Sequence, residues 1–205
     1  MENLKKESIK NPFLCLSNWW PLVGSQRLRA IREIRENDKD YDPLLQLAVF
    51  DKPYENVWHL WGDKKFRSKL LELYKKLNPY PELVDCLHKL KEKKIKTCIL
   101  SNGSPSLLNE LTSHAGVKKL FDDLISIEEA GIYKPHPKVY ELVTKKYNCK
   151  PSEVCFMSSN TWDVVGGGVF GYQSVWVDRF GKTFDKLDYQ PDFIIKNLSE
   201  LAEYL

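Results

Sequence analysis

The sequence predicts an α/β protein with a parallel sheet and flanking helices, plus a mostly helical N-terminal region. Strand and helix patterns alternate from residue 66 onward, and the strand patterns are short and apolar throughout. Polar clusters follow several of these strands, at the edge where parallel sheets hold their active crevices. We therefore expect an α/β core over 66–205 and a helical or cap-like region over 1–65.

The individual elements follow from apolar spacing and from turn residues. Helices are expected at residues 66–77, 81–93, 104–114, 137–147, 163–170 and 198–205. Strands are expected at residues 95–100, 124–127, 154–157, 174–177 and 193–195. Upstream, residues 26–36 form a charged helical pattern, and the apolar run 44–50 fits either a strand or part of a buried helix.

Composition excludes several classes of protein. The net charge of +3 over 205 residues is too small to indicate a nucleic-acid or membrane-surface partner. No apolar run reaches the length of about 18 residues that a membrane span needs, and the N-terminus does not resemble a signal peptide. Five cysteines without a CxxC pair argue against a disulfide framework and a zinc site, so we expect a reducing, cytoplasmic location.

Three polar clusters mark the candidate site. They are Ser-Asn-Gly at 101–103, Tyr-Lys-Pro-His-Pro at 133–137 and Ser-Ser-Asn-Thr-Trp-Asp at 158–163. A hydroxyl and an amide at a strand end can donate to a carboxylate or a developing oxyanion. A lysine on a loop stiffened by two prolines can be aimed at a negative charge. An aspartate nearby can orient a water or pair with that lysine.

Each cluster also has an ordinary interpretation. Ser-Asn-Gly is most often a turn, and Lys-Pro in a loop is usually exposed. Ser-Ser-Asn-x-x-Asp is most often a helix N-cap with a first-turn charge. The occurrence of all three clusters at the mouth of one inferred sheet favours a common site.

The three strings Leu-Ser-Asn-Gly-Ser-Pro (100–105), Tyr-Lys-Pro-His-Pro-Lys-Val-Tyr (133–140) and Phe-Met-Ser-Ser-Asn-Thr-Trp-Asp (156–163) resemble the haloacid dehalogenase superfamily. They are most similar to its 2-haloacid dehalogenase branch, over about residues 66–205. The resemblance implies a Rossmann-like core. Phosphatases of the superfamily carry an acidic pair for magnesium where Ser158 and Asn160 stand here. Since one carboxylate is a poor magnesium site, we expect neither a metal nor a cofactor.

The resemblance implies roles for matching residues on the substrate side. Ser101 and Asn102 would hold the substrate carboxylate and help to receive the leaving halide. Tyr140 matches a tyrosine near the lysine, and Trp162 matches a wall of the substrate pocket. The implied partner is a small carboxylate or 2-haloacid, without nucleic acid or membrane, and the assembly could be a homodimer.

The resemblance also implies the catalytic residues. Lys134 would balance the charge of a nucleophilic aspartate, and Ser158, Asn160 and Asp163 would fix that lysine and the hydrolytic water. The aspartate would displace halide from C2 of the acid, and water would then hydrolyse the resulting ester.

The nucleophile itself is missing from the expected place. The family carries it at the end of its central strand, in a string like Phe-Asp-x-Tyr-Gly-Thr-Leu, and the N-terminus of this chain resembles none of it. Asp51, at the end of the apolar run 47–50, is the one substitute that we identify. It could equally end a helix or lie in a surface loop before Pro53. The family's halide-binding arginine has candidates by type only, in the charged pattern 26–36, where a solvated helix is the simpler interpretation.

Three functions therefore remain open. The first is a 2-haloacid dehalogenase-like hydrolase, truncated or of low activity. The second is a phosphatase of the same superfamily, against which the missing acidic pair argues. The third is a non-catalytic module that binds a small carboxylate or a partner protein.

Overall fold

The computed structural model describes residues 12–17, 72 and 75–204. Within them, six strands form one parallel sheet in the order β3-β2-β1-β4-β5-β6. The strands are β1 Phe13–Ser17, β2 Lys96–Ser101, β3 Asp123–Ser126, β4 Val154–Ser158, β5 Gln173–Val177 and β6 Phe193–Ile195. The helices are α1 Glu82–Glu92, α2 Pro105–His114, α3 Pro137–Tyr147 and α4 Thr161–Phe170.

The predicted α/β class, a parallel sheet with flanking helices, is confirmed, and most core elements lie within one or two residues of their predicted bounds. The predicted helical N-terminal region falls mostly outside the described residues. Two core elements differ in detail. Helix α4 begins at Thr161 rather than at residue 163, because the Asn160 carbonyl already accepts from the N–H groups of Asp163 and Val164. The segment Leu198–Glu203 is a 3₁₀ helix instead of the predicted α-helix. The predicted helix 66–77 lies largely outside the described residues.

The central strand of the sheet comes from the N-terminal region. β1 pairs with β2 on one side, Phe13 opposite Lys96, and with β4 on the other, Phe13 opposite Val154. The core is therefore not confined to 66–205, because Phe13–Ser17 belongs to it and forms the central strand. The rest of 1–65 lies outside the described residues, and a cap-like role for it stays a prediction.

The four inner strands, β1, β2, β4 and β5, are buried on both faces, as parallel strands between helix layers are. Leu14 and Leu16 of β1 face the layer that contains α1 and α2, whereas Cys15 faces α3. The α1 side buries Leu83, Leu87, Leu90, Leu108 and Leu111, and the α3 side buries Val139, Tyr140, Val143, Phe156 and Tyr172. Among the described residues, no helix combines the length and apolarity of a membrane span.

Candidate active site

Three neighbouring strands end in serines at the same edge of the sheet. Ser101 ends β2, Ser17 ends β1 and Ser158 ends β4, and all three are buried. The carboxyl ends of parallel strands meet at one edge. The sheet therefore places these hydroxyls in a row, with Ser17 in the middle.

Lys134 lies just before α3, and its ammonium group is completely buried at this edge. The Nζ donates to Ser17 Oγ at 2.8 Å, to the Leu100 carbonyl oxygen at 2.8 Å and to Asp163 Oδ2 at 3.4 Å. An ammonium has three protons, so these acceptors use all of them. The Phe156 ring centroid, 5.4 Å from Nζ, adds a cation–π contact. Lys134 is not the exposed loop lysine of the ordinary interpretation.

Asp163, in the first turn of α4, is the acceptor at the centre of the network. Its Oδ1 accepts from the Tyr140 hydroxyl at 2.9 Å. Its Oδ2 accepts from Ser158 Oγ at 3.2 Å, from Lys134 and from the Ser17 hydroxyl. The residue is fully buried, so this carboxylate is not the surface charge that the N-cap interpretation would make it.

Burial sets the ionisation of the groups around Asp163. It lowers the pKa of Lys134 below the ordinary lysine value, and the neighbouring Asp163 charge opposes that shift. Burial and the same carboxylate raise the pKa of Tyr140. Tyr140 therefore stays a protonated donor to Asp163 at neutral pH.

The remaining residues that the sequence singled out surround this network. The Lys134 backbone N–H donates to Asn102 Oδ1 at 3.4 Å. Ser101 Oγ accepts from the Gly103 N–H at 3.0 Å, and Ser158 Oγ accepts from the Asn160 N–H at 3.1 Å. Trp162 is exposed over 39% of its surface and does not join the buried group.

Asp51 and the arginines of the 26–36 pattern lie outside the described residues. The sequence offered Asp51 only as a substitute for the nucleophile that the family carries on its central strand. That place is occupied by Phe13–Ser17, between β2 and β4. The central strand ends at Ser17, so Asp51 as nucleophile stays a prediction without that support.

Ser17 is the site residue that sequence reasoning missed. A signal was present: β1 ends in Phe-Leu-Cys-Leu-Ser, β2 in Thr-Cys-Ile-Leu-Ser and β4 is Val-Cys-Phe-Met-Ser. Three short apolar runs that each stop at a serine indicate equivalent strands. The run that ends at Ser17 was overlooked because the family pattern requires an aspartate at that point.

Comparison with known proteins agrees with the fold. The model of the haloacid dehalogenase-like hydrolase family matches residues 16–171. The chain therefore belongs to the haloacid dehalogenase-like hydrolases.

Two curated relatives are dehalogenases of small acids. An (S)-2-haloacid dehalogenase from Pseudomonas sp. (strain YL) is 38% identical over 69% of this chain. Haloacetate dehalogenase H-2 from Moraxella sp. (strain B) is 39% identical over 73% of it. The matched regions span 61% and 67% of those enzymes' lengths, so the activity of the whole enzymes is a hypothesis for this chain.

Solved structures share the fold over nearly the whole chain. An L-2-haloacid dehalogenase from Xanthobacter autotrophicus, with chloropropionic acid covalently bound, matches 94% of this chain and 97% of its own with a TM-score of 0.74 at 23% identity. A second dehalogenase structure matches 96% of this chain and 97% of its own with a TM-score of 0.79 at 24% identity. At these identities the likeness concerns the fold alone.

Proposed function

We propose that this chain binds a small 2-substituted carboxylate, of the 2-haloacid or 2-hydroxy acid class, beside Asn102 and Lys134. We further propose that it does not turn the acid over through an ester at the end of β1. The activities of the two relatives, (S)-2-haloacid and haloacetate dehalogenation, indicate the ligand class. The identity of residue 17 supplies the limit on turnover.

The contacts of Ser17 carry this proposal. Ser17 ends the central strand, where the resemblance requires the nucleophilic aspartate, and its Oγ lies 2.8 Å from Lys134 Nζ. Its hydroxyl also donates to Asp163. Ser17 thus supplies the oxygen that the lysine needs and keeps the buried pair in place, although it brings no carboxylate.

A serine cannot perform the two-step reaction of the aspartate. An aspartate carboxylate that displaces halide from C2 forms an ester, and water can attack the ester carbonyl to release the product. A serine oxygen at C2 would form an ether, which has no carbonyl carbon for water to attack. One alkylation would then end the reaction, so Ser17 does not support turnover.

Restoring the carboxylate tests the limit on turnover. We expect Ser17→Asp to release chloride from L-2-chloropropionate at least about tenfold faster than the unchanged chain, which corresponds to about 1.4 kcal/mol of barrier. The matched control is Ser17→Asn, which has nearly the same shape and no carboxylate. Chloride release is followed over time for all three proteins.

If the unchanged chain releases chloride as fast as Ser17→Asp does, the limit on turnover is wrong. Asp51→Asn then decides whether Asp51 is the nucleophile, because that variant would lose the activity. Magnesium-dependent hydrolysis of p-nitrophenyl phosphate by the unchanged chain would instead favour the phosphatase alternative.

Binding is tested without turnover. We expect D-lactate, the product that L-2-chloropropionate gives when displacement inverts C2, to raise the thermal unfolding midpoint of the unchanged chain, because a ligand that binds only the native state stabilises it. Asn102→Ala should remove most of the shift. EDTA should not change it, because residues 158–163 contain one carboxylate, Asp163, and one carboxylate holds magnesium poorly. Absence of any lactate effect would contradict the binding site.

We also propose a reducing, cytoplasmic location. All five cysteines are free thiols, and Cys15, Cys98 and Cys155 are buried in the sheet. Proteins of oxidising compartments more often use their cysteines in disulfides. A homodimer remains a prediction, which light scattering on the purified chain checks.

A further inference from the structure

Helix α4 carries three consecutive glycines that face aromatic side chains. A Cβ at Gly166 would overlap the Tyr140 hydroxyl and would lie 2.8 Å from Pro135 Cβ. A Cβ at Gly168 would instead overlap the Tyr189 ring, and one at Gly167 would lie 2.5 Å from the Phe156 ring. Separations this short force a shift of one group or the other.

The two residues that a Cβ at Gly166 would meet, Tyr140 and Pro135, are both linked to the candidate site. The Tyr140 hydroxyl donates to Asp163 Oδ1 at 2.9 Å, and Pro135 directly follows Lys134. Gly166 is also three residues after Asp163, on the same face of α4. Gly166 thus lies against Tyr140, which donates to the buried Asp163 carboxylate, and against Pro135, which follows the buried Lys134.

Close packing prevents Tyr140 from moving away from position 166. It is fully buried, and its ring packs against Phe156, Phe170 and Tyr172 with centroids 5.6, 5.8 and 6.0 Å away. An added methyl group at position 166 must therefore move α4 away or push the hydroxyl off Asp163. Either movement changes the hydrogen bonds of Asp163, and through it those of Lys134.

We propose that Gly166 is a positioning residue of the carboxylate-binding site. Its lack of a side chain sets the separation of α4 from α3 at which Tyr140 reaches Asp163 and Lys134 reaches Ser17. The effect on ligand affinity rests on the proposed function, whereas the effect on the buried network does not. The two are measured separately.

The network is measured by nitrogen-15 NMR of the Lys134 ammonium, which exchanges slowly because it is buried and fully hydrogen-bonded. We expect Gly166→Ala to shift or broaden this resonance. The matched control is Gly168→Ala, which has the same substitution on the same helix and a similar overlap, but with Tyr189 instead of Tyr140. It should leave the resonance in place. An unchanged resonance in Gly166→Ala would overturn the proposal.

The affinity for D-lactate is measured by calorimetry. Gly166→Ala should weaken binding by about tenfold to a hundredfold, which is the loss that follows from one hydrogen bond to a charged group. If the unchanged chain does not bind lactate, the proposed function fails while the NMR result still decides the role of Gly166.

A double variant separates positioning from general damage and serves if Gly166→Ala folds poorly. Tyr140→Phe removes the oxygen that the new methyl group would overlap most closely. We expect Gly166→Ala to perturb the Lys134 resonance less in the Tyr140→Phe background than in the unchanged chain. Equal perturbation in both backgrounds would mean that Gly166 does not act through Tyr140.

Discussion

At the scale of single residues, the Lys134 ammonium shows how a buried charge is accommodated. The group is completely buried, yet each of its protons is donated to an oxygen. One of the three acceptors is the Asp163 carboxylate. Such a pair is costly to break, because the partner that stays behind is a buried charge without compensation. In this protein that partner would be Asp163.

Lys134→Met should therefore lower the free energy of unfolding by about 3 to 5 kcal/mol. The matched control is Lys145→Met, which removes an exposed lysine of α3 that pairs with Glu141 and should cost less than about 1 kcal/mol. Urea unfolding followed by circular dichroism measures both. The double variant Lys134→Met/Asp163→Asn should recover part of the loss. Equal costs for the two single variants would show that the buried pair carries no special weight.

The sequence predicted most residues of this network, but it did not predict Ser17. Lys134, Tyr140, Ser158 and Asp163 were identified through their motifs, and the structure brings them into direct contact. Ser17 was missed because a serine after an apolar run is chemically ordinary. Ser17 can be recognised as a site residue only once β1 is paired with β2 and β4, and these pairings connect segments far apart in the chain.

At the scale of elements, α1 covers one face of the sheet and partly buries a thiol. Burial raises the pKa of Cys86 from 9.0 to about 11; Glu82 adds to the rise and Lys89 opposes it. The folded state thus keeps the proton at a pH where the unfolded chain releases it. The stability from this group is complete below pH 9.0 and is lost as the pH rises to about 11.

Alkylation of Cys86 by iodoacetamide should accordingly reach half its limiting rate near pH 11. Mass spectrometry after short exposures follows the modified peptide. Cys86→Ala should also reduce the fall in unfolding free energy between pH 9.0 and about 11. An inflection at or below pH 9.0 would contradict the burial of this thiol.

Element bounds were predictable where local signals decide them. Helices α1, α2 and α3 follow apolar spacing, and α2 and α3 each begin at a proline after a side-chain cap. The segment Leu198–Glu203 was predicted as an α-helix because spacing over so few residues does not distinguish the α-helix from the 3₁₀ helix. Strands as short as β1 were predicted downstream, where strand and helix patterns alternate. The strand β1 was missed because it lies outside that alternation.

At the scale of the whole molecule, β1 joins the two halves of the sheet. Leu16 is fully buried on β1, between β2 and β4. Leu16→Ala should lower the free energy of unfolding by about 2 to 5 kcal/mol, through lost burial and the cavity left behind.

The control for Leu16→Ala is Val169→Ala, since Val169 on α4 is 71% exposed and should cost less than about 0.5 kcal/mol. Chemical unfolding measures both variants. A small cost at Leu16, similar to that at Val169, would mean that β1 is not an integral part of the core.

The central place of β1 also sets an order of events during synthesis. Phe13–Ser17 leaves the ribosome early, whereas its neighbours in the sheet, paired from Lys96 and from Val154, are made much later. Domains whose contacts connect distant segments fold slowly, and exposed apolar strands aggregate while they wait. The Phe-Leu-Cys-Leu run is therefore an apolar segment of the nascent chain that a chaperone would have to shield until β4 has emerged.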